Sequence, residues 1–385
     1  MDLIKRKAKV EVAIFMPSLA QYDAMATHVL ELRSALREHG VRAVIYADEI
    51  KKEMRDEAIP FRRFLLRNSS ASRYNLYQLA TGSNMVRHLM ARPEPLLVQY
   101  HNITPRSHFV RWDPGIASSM AWGQRQLEVL SKKTELALAI SKFNAQNLVS
   151  ATYPKVALSP PLIRSLPSNS DRPSYASEAF KLLFVGRIAP NKAHEDLIRA
   201  LGIFNSVYEK KAHIHFVGSV VIEKYMDYLI RLVGELNLES YVHFEQNLSD
   251  KQLSKQIGSS HLFVCASKHE GFGFPLIEAM RLGTPVVAVA SSAIPSTVGN
   301  GAVLLETNDA LNMAAAWHMV LHDAVTRESL IVKGHLKASQ WNLNSSILAN
   351  LGAIANCVPV DGVDATPLYF DIQASLVTNT SGSGI

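Results

Sequence analysis

Short apolar runs alternate with amphipathic stretches along most of the chain. Residues 10–15 read as a buried strand. Val29, Leu32, Ala35 and Leu36 then recur at helical spacing through residues 28–39, and Gly40 closes the helix. Strand 42–46, helix 85–90, strand 95–100, helix 123–130 and strand 135–140 continue the rhythm. A Pro/Ser/Asn-rich break follows, with Ser159-Pro-Pro-Leu162 and the run from Pro167 to Ser174. The alternation restarts at 181–185 and carries strands at 213–217, 241–244, 261–265 and 285–288, with helices at 195–208, 225–236, 251–257 and 275–282 between them. Two runs of strand, helix, strand predict two doubly wound parallel sheets, with ligands held near the C-terminal ends of the strands in a cleft between them. Residues 309–321 and 341–355 read as terminal helices. The expected domains are 1–165 and 175–340, with a helix at 341–358 packing back toward the first. From Pro359 the periodicity is lost, and 359–385 reads as a disordered tail.

Composition narrows the class. Hydrophobic residues make up 48% and charged residues 19% of the 385, as in a core-forming protein. No apolar run approaches the roughly 20 residues of a membrane span. The opening MDLIKRKAKVEVAIFMPS resembles a signal peptide in charge, but its apolar part is too short and reads as a first strand. The chain has two cysteines, and Cys265 lies in an apolar run, as a core residue does. A reducing, cytoplasmic setting is expected. The net charge of +6 is uneven: residues 1–150 carry 22 Lys+Arg against 14 Asp+Glu. Lys51-Lys-Glu-Met-Arg55 and Phe61-Arg-Arg-Phe-Leu-Leu-Arg67 interleave basic and apolar residues. Such a stretch suits a peripheral contact with an anionic membrane face or a phosphate-bearing partner, and equally a solvated helix face. No nucleic-acid-binding motif accompanies the charge.

Two strand–turn–helix segments carry candidate chemistry. Gly186-Arg187 follows strand 181–185, and Lys192 stands at the entry to the next helix. Two cations beside free helix amides make an anion site whose charge suits a diphosphate; each alone reads as a surface residue of a loop. The second segment is HEGFGFPLIEAM, residues 269–280. Gly271 and Gly273 allow close approach of backbone to ligand, and Pro275 suits a first helical turn. Glu270 lies before that turn and Glu278 is expected within it, facing the cleft. A carboxylate accepts two hydrogen bonds at once, as vicinal sugar hydroxyls require. A dinucleotide fingerprint fails here, because Leu276 occupies the third glycine position. There is no P-loop, no D-x-D and no zinc-ligand spacing, so no metal site is expected.

Together, V-G-R-x-x-x-N-K, E-G-F-G-F-P-L-I-E-A-M and G-T-P-V-V resemble the family 4 glycosyltransferases over most of the chain. The resemblance implies the GT-B fold, two Rossmann-like domains facing across a cleft. It implies transfer of a hexose from a nucleotide-diphosphate sugar, with retained anomeric configuration and without cofactor or metal. Glu278 would hold the ribose hydroxyls and Glu270 the donor sugar. The amides of Gly271, Phe272 and Gly273, with Gly186, would face the sugar or diphosphate. Arg187 and Lys192 would neutralise the leaving diphosphate, and His101, after strand 95–100, would stand near the donor sugar. The acceptor would be a lipid-linked oligosaccharide or polysaccharide of the cell envelope, received by the basic first domain, and likeness to envelope mannosyltransferases favours GDP-mannose. Two alternatives stay open: a nucleotide-sugar-binding protein without transferase activity, and a GT-B nucleotide-sugar epimerase. Three departures stand out. Ser18–Ala24 lacks the family's glycine loop and offers Asp23 as an acceptor contact. Ala193 replaces a frequent glycine, and Ser296 a frequent glutamate.

Overall fold

The computed structural model describes residues 10–20, 23–162, 165–168 and 171–371. They form two compact units. The first comprises Met1–Ile103, Ser118–Ile163 and Leu343–Ile385, and the second Thr104–Ala117 and Arg164–Asn342.

In chain order the elements before the break are β1 (Glu11–Leu19), α1 (Ala24–Glu38), β2 (Arg42–Ile50), β3 (Ile59–Pro60), α2 (Phe61–Leu65), β4 (Arg73–Leu79), α3 (Met85–Ala91), β5 (Leu96–Tyr100), α4 (Pro114–Ser131), β6 (Thr134–Ala139), α5 (Lys142–Ser150) and β7 (Lys155–Leu158). After it come β8 (Phe180–Val185), α6 (His194–Val207), β9 (Ala212–Val217), α7 (Glu223–Glu235), β10 (Val242–Glu245), α8 (Asp250–Gly258), β11 (Leu262–Cys265), α9 (Phe274–Arg281), β12 (Val286–Val289), α10 (Ile294–Val298), β13 (Val303–Leu305), α11 (Ala310–His322), α12 (Ala324–Ser339), α13 (Leu343–Ile354) and β14 (Phe370–Asp371).

The first sheet runs β14-β7-β6-β5-β4-β1-β2-β3, parallel except for β14. Alternation sends Val12, Ile14, Met16, Leu76 and Leu97 to one face, packed with Val29 and Leu32 of α1 and Leu351 of α13. Phe15, Tyr77, Leu79 and Val98 go to the other face, with Phe61, Phe64, Leu89 and Leu127. At the N-terminal edge Glu11 pairs with Arg67 and Arg73, and Arg73 also pairs with Glu94. The second sheet, β10-β9-β8-β11-β12-β13, is parallel throughout. Both units are thus Rossmann-like α/β layers, and within each sheet the parallel strands deliver their C-terminal ends to the same edge.

The expected tail needs correcting over part of its length. Thr366 N–H donates to the Gly352 carbonyl, and Tyr369 N–H to Val156. Phe370 and Asp371 pair antiparallel with Val156 and Lys155. Residues 359–371 lack periodicity because they are held by single backbone bonds and by Val360 and Val363 in the core, not by an amphipathic face. Residues 372–385 lie outside those described.

Candidate functional site

The donor-side candidates converge on the C-terminal rim of the second sheet. β8 ends at Val185, and Gly186 N–H donates to the Val217 carbonyl. The Gly186–Arg187 backbone then passes so close to Gly218 that a Cβ there would lie 2.1 Å from the Gly186 oxygen. Only glycine fits at 218, and the approach fixes the start of the Arg187 loop. Arg187 is exposed and makes no ion pair among the described residues.

A short 3₁₀ turn, Pro190–Lys192, leads into α6. Ala193 joins the two in the left-handed conformation, φ 54° and ψ 46°. Glycine is the residue that adopts this conformation without a Cβ penalty. The turn is laced to the loop after β11. Asn191 donates from its side-chain amide to the His269 carbonyl at 3.2 Å, and Lys268 N–H donates to the Asn191 carbonyl at 2.9 Å. Lys192 Nζ reaches Glu270 Oε1 at 2.5 Å, with both side chains about one-seventh exposed (14% and 15%). Two residues predicted to touch different parts of a donor therefore touch each other here.

Beyond Glu270 the chain turns into α9 through Gly273, at φ 92°, where a Cβ would strike Leu276. The Phe272 ring is buried edge-on against Trp341, and its carbonyl accepts from Thr297 Oγ1 at 2.7 Å. Only backbone is left to face a ligand at this position. Among the described residues nothing accepts from the N–H groups of Gly271, Phe272 and Gly273. Three unspent amides beside a helix start and a lysine form a polarised cradle for an anion. Glu278 falls in the second turn of α9, not the first. Its carboxyl makes no hydrogen bond among the described residues, and burial pushes it up to about 7, against a weaker pull from Arg281. Ser296, the departure from the frequent glutamate, donates back to the Ala293 carbonyl within α10.

The sequence did not point to the segment Thr104–Ala117. It belongs to the second unit. Trp112 packs edge-on to Tyr225 of α7 and tilted against Tyr228, with Arg111 stacked over it. His108 comes to 6.3 Å from His269, ring centre to ring centre. Burial and the neighbouring Lys268 charge lower its pKa, so it is neutral. Two prolines, Pro105 and Pro114, bracket an irregular stretch ahead of α4 that carries no periodic signal.

In the first unit, His101 follows β5. Its Nε2 lies 2.6 Å from Gln78 Oε1 and its ring is edge-on to His28. Asp23 caps α1: its Oδ1 accepts from the amides of Met25 and Ala26. One carboxylate oxygen of Asp23, the residue expected to meet the acceptor, is thus committed to the helix. Gln21 and Tyr22, in the same stretch, lie outside the described residues.

The fold is that of the GT-B glycosyltransferases. The chain superposes on Anabaena HepE, solved with UDP and glucose, at a TM-score of 0.70 and 16% identity, covering 90% of this chain and 100% of that one. It superposes on WaaG, a glycosyltransferase involved in lipopolysaccharide biosynthesis, at 0.65 and 14%, covering 90% and 100%. Residues 168–336, which include all the donor-side candidates, match the family model of glycosyl transferases group 1. Over 171 residues the chain is 26% identical to the O-antigen chain mannosyltransferase B of Escherichia coli, covering 44% of each protein. Over 118 residues it is 36% identical to the D-inositol 3-phosphate glycosyltransferase of Mycolicibacterium smegmatis, covering 31% of this chain and 26% of that one. The chain spans less than half the length of the curated relatives it matches.

Proposed function

We propose that the chain is a retaining hexosyltransferase that uses a nucleotide-diphosphate sugar. The observation that carries this reading is the cradle at the rim of the second sheet. There the Lys192 ammonium, already among the amides' neighbours through Glu270, stands with three unspent N–H groups and the Arg187 loop. Fixed dipoles and cations aimed at a departing diphosphate lower the barrier to its release without reorganising at the moment of reaction. Glu278, with both lone-pair sets free, suits a pair of ribose hydroxyls. Glu270 would exchange its lysine partner for a sugar hydroxyl, or share the lysine with it. The leaving diphosphate takes the acceptor proton, so neither glutamate serves as acid or base. The charge is met by Arg187, Lys192 and the amides, and transfer would proceed without a metal ion.

Relatives named as mannosyltransferases favour GDP-mannose, and a neighbour solved with UDP and glucose makes UDP-sugars the next candidates. For the acceptor we infer a lipid-linked oligosaccharide or polysaccharide met at the inner face of the cytoplasmic membrane. Lys51 (paired with Glu49), Lys52, Arg55, Arg62 and Arg63 are exposed, as is Leu66 at 86%, and this supports a peripheral anionic-lipid contact. Among the described residues no helix is long and apolar enough to cross a membrane. The test is a panel of GDP-mannose, UDP-glucose and UDP-N-acetylglucosamine with EDTA present. Binding and slow release of nucleoside diphosphate from one of them is expected; no binding of any would sink the reading.

A further inference from the structure

Three histidines stand in a row on one face of the second sheet, at its β10 edge. His213 and His215 lie two residues apart along β9, and His243 of β10 is directly opposite His215. His213 Nδ1 is 3.3 Å from His243 Nε2, and the rings are nearly coplanar (9°) with centres 5.6 Å apart, so they meet edge to edge. One proton fits between those nitrogens; with a proton on each, two N–H groups would face each other. The His215 ring centre lies 4.6 Å from that of His243. A carboxylate only accepts, so His215 donates from Nδ1 to Glu245 Oε1 at 2.7 Å. Glu245 ends β10 and also accepts from Gln256 of α8 at 2.9 Å. Lys181 of β8 donates to Gln256 and, at 3.2 Å, to Ser259. The charged groups about the row are therefore Lys181, with Lys255 of α8 near it, and the carboxylate Glu245; Tyr241 sets its ring against His213.

The closed row resists positive charge. Burial lowers His213 and His215 below their ordinary 6.5; His243 adds to this for both and Lys181 for His215, where Glu245 opposes it. Solvated rings take protons at the ordinary value. A state with β10 detached thus binds more protons than the closed state, and acid favours it. β10 also holds the rim of the donor side. The Glu245 carbonyl accepts from Gly218 N–H at 2.9 Å, and the Gly186–Arg187 backbone rests against Gly218.

We propose that the imidazole row is an acid-sensitive latch: when a second ring of the row takes a proton, β10 comes off β9, Gly218 loses its partner at Glu245, and the Arg187 loop loosens. Acid thereby weakens the hold on a ligand at the cradle without acting on the cradle itself. That the ligand is a nucleoside diphosphate rests on the donor reading above; the latch does not.

Hydrogen exchange of the full chain, divided by the intrinsic rate at each pH, reads the latch without any ligand. The reporters are the amides of Ile214 and Gly218, which donate to the Tyr241 and Glu245 carbonyls. Each proton taken up on opening contributes up to about tenfold per pH unit. From pH 7 to 5 the reporters should lose at least tenfold in protection, while the Phe180 amide, bonded to Lys211 between β8 and β9, keeps its own. The double variant His213→Gln, His243→Gln should lose less than threefold. Over the same range the wild type's affinity for GDP or UDP should fall at least fivefold more than the double variant's; Glu278 and the ligand's own phosphate titrate in both proteins and cancel. His243→Gln alone removes the neighbour of both other rings and gives the same comparison if the double variant does not fold. Three results overturn the proposal: unchanged protection in the wild type, an equal loss in the variant, or a loss of protection with the same fall in affinity in both proteins. Failure of the donor reading would show separately, as no nucleoside diphosphate bound by the wild type at pH 7.

Discussion

Lys192 and Glu270, 78 residues apart in sequence, form a direct ion pair, Nζ to Oε1 at 2.5 Å, between the turn before α6 and the loop before α9. The pair makes each residue the other's counter-charge when no donor phosphate or sugar is present.

The first prediction follows from that coupling. Lys192→Ala and Glu270→Ala should each lower donor turnover by about 10²–10³, the usual cost of losing one fixed charge at a transition state. The double variant should be less impaired than the product of the two, with a coupling of ~1–3 kcal/mol. Steady-state kinetics on all four proteins gives the number, and strict additivity would mean the contact is incidental.

Glu278 predicts a pH dependence. Its folded carboxyl titrates near 7, above its ordinary value of 4.5. In the folded state the proton is kept over that window while the unfolded chain has already lost it. The resulting stabilisation is full below about 4.5 and is gone above about 7. Glu278→Gln should therefore match the wild type near pH 4 and exceed it in urea midpoint at pH 8. Donor affinity should move the other way, tightening from pH 6 to 8 in the wild type as the ionised form becomes available to two hydroxyls. The Gln variant should bind more weakly and show no such slope, and a flat wild-type profile would contradict the assignment.

Ala193 is a stability test of a different kind. Gly relieves a left-handed residue of about 1 kcal/mol but forfeits a buried methyl and adds freedom to the unfolded chain, each worth roughly 0.5–1 kcal/mol. Ala193→Gly should lie within about 1 kcal/mol of the wild type, and Ala193→Val should be clearly destabilised, since branching at Cβ crowds that conformation further. Thermal melts of both decide.

In the first unit, Arg73 bridges Glu11 and Glu94 with its side chain only 5% exposed. Burial pushes both carboxyls up, but the arginines outweigh it and hold them below 4.5. Arg73→Met would leave Glu11 to Arg67 and Glu94 to Arg92 but remove the charged hydrogen bonds that join the two pairs, and a loss of about 1.5–3 kcal/mol is expected in urea unfolding at pH 7. Because protonation below pH 4.5 removes the pairs in the wild type as well, the gap between the two proteins should narrow there.

The donor side was legible because its parts are local. Strand, glycine turn and helix follow each other within a dozen residues, and the chemistry sits in the turn. Its non-local contacts, Lys192 with Glu270 and Asn191 with His269, lie outside any single motif. The first unit was harder to read. β4, RYNLYQL, hides Arg73, Asn75 and Gln78 in its interior, so its polar letters argue against a buried strand. α12 inverts the usual pattern: Val325, Val332 and Leu336 are exposed, while Arg327 and Gly334 are buried. The contacts of His101 with Gln78 and His28, and of Gln99 with Asn350, join β4, β5, α1 and α13, which no spacing along the chain records.

The Trp112 contacts matter to anyone who would produce the second unit by itself. Cut at the natural break, a fragment of Arg164–Asn342 contains the whole matched family segment but leaves out Thr104–Ala117. Tyr225 and Tyr228 would lose their indole partner, and His269 its neighbouring imidazole. Such a piece would present a bare aromatic face beside its own ligand cradle, and nucleotide affinities measured on it would belong to a trimmed molecule. Supplying the missing residues as a synthetic peptide would show how much of the cradle they hold in place.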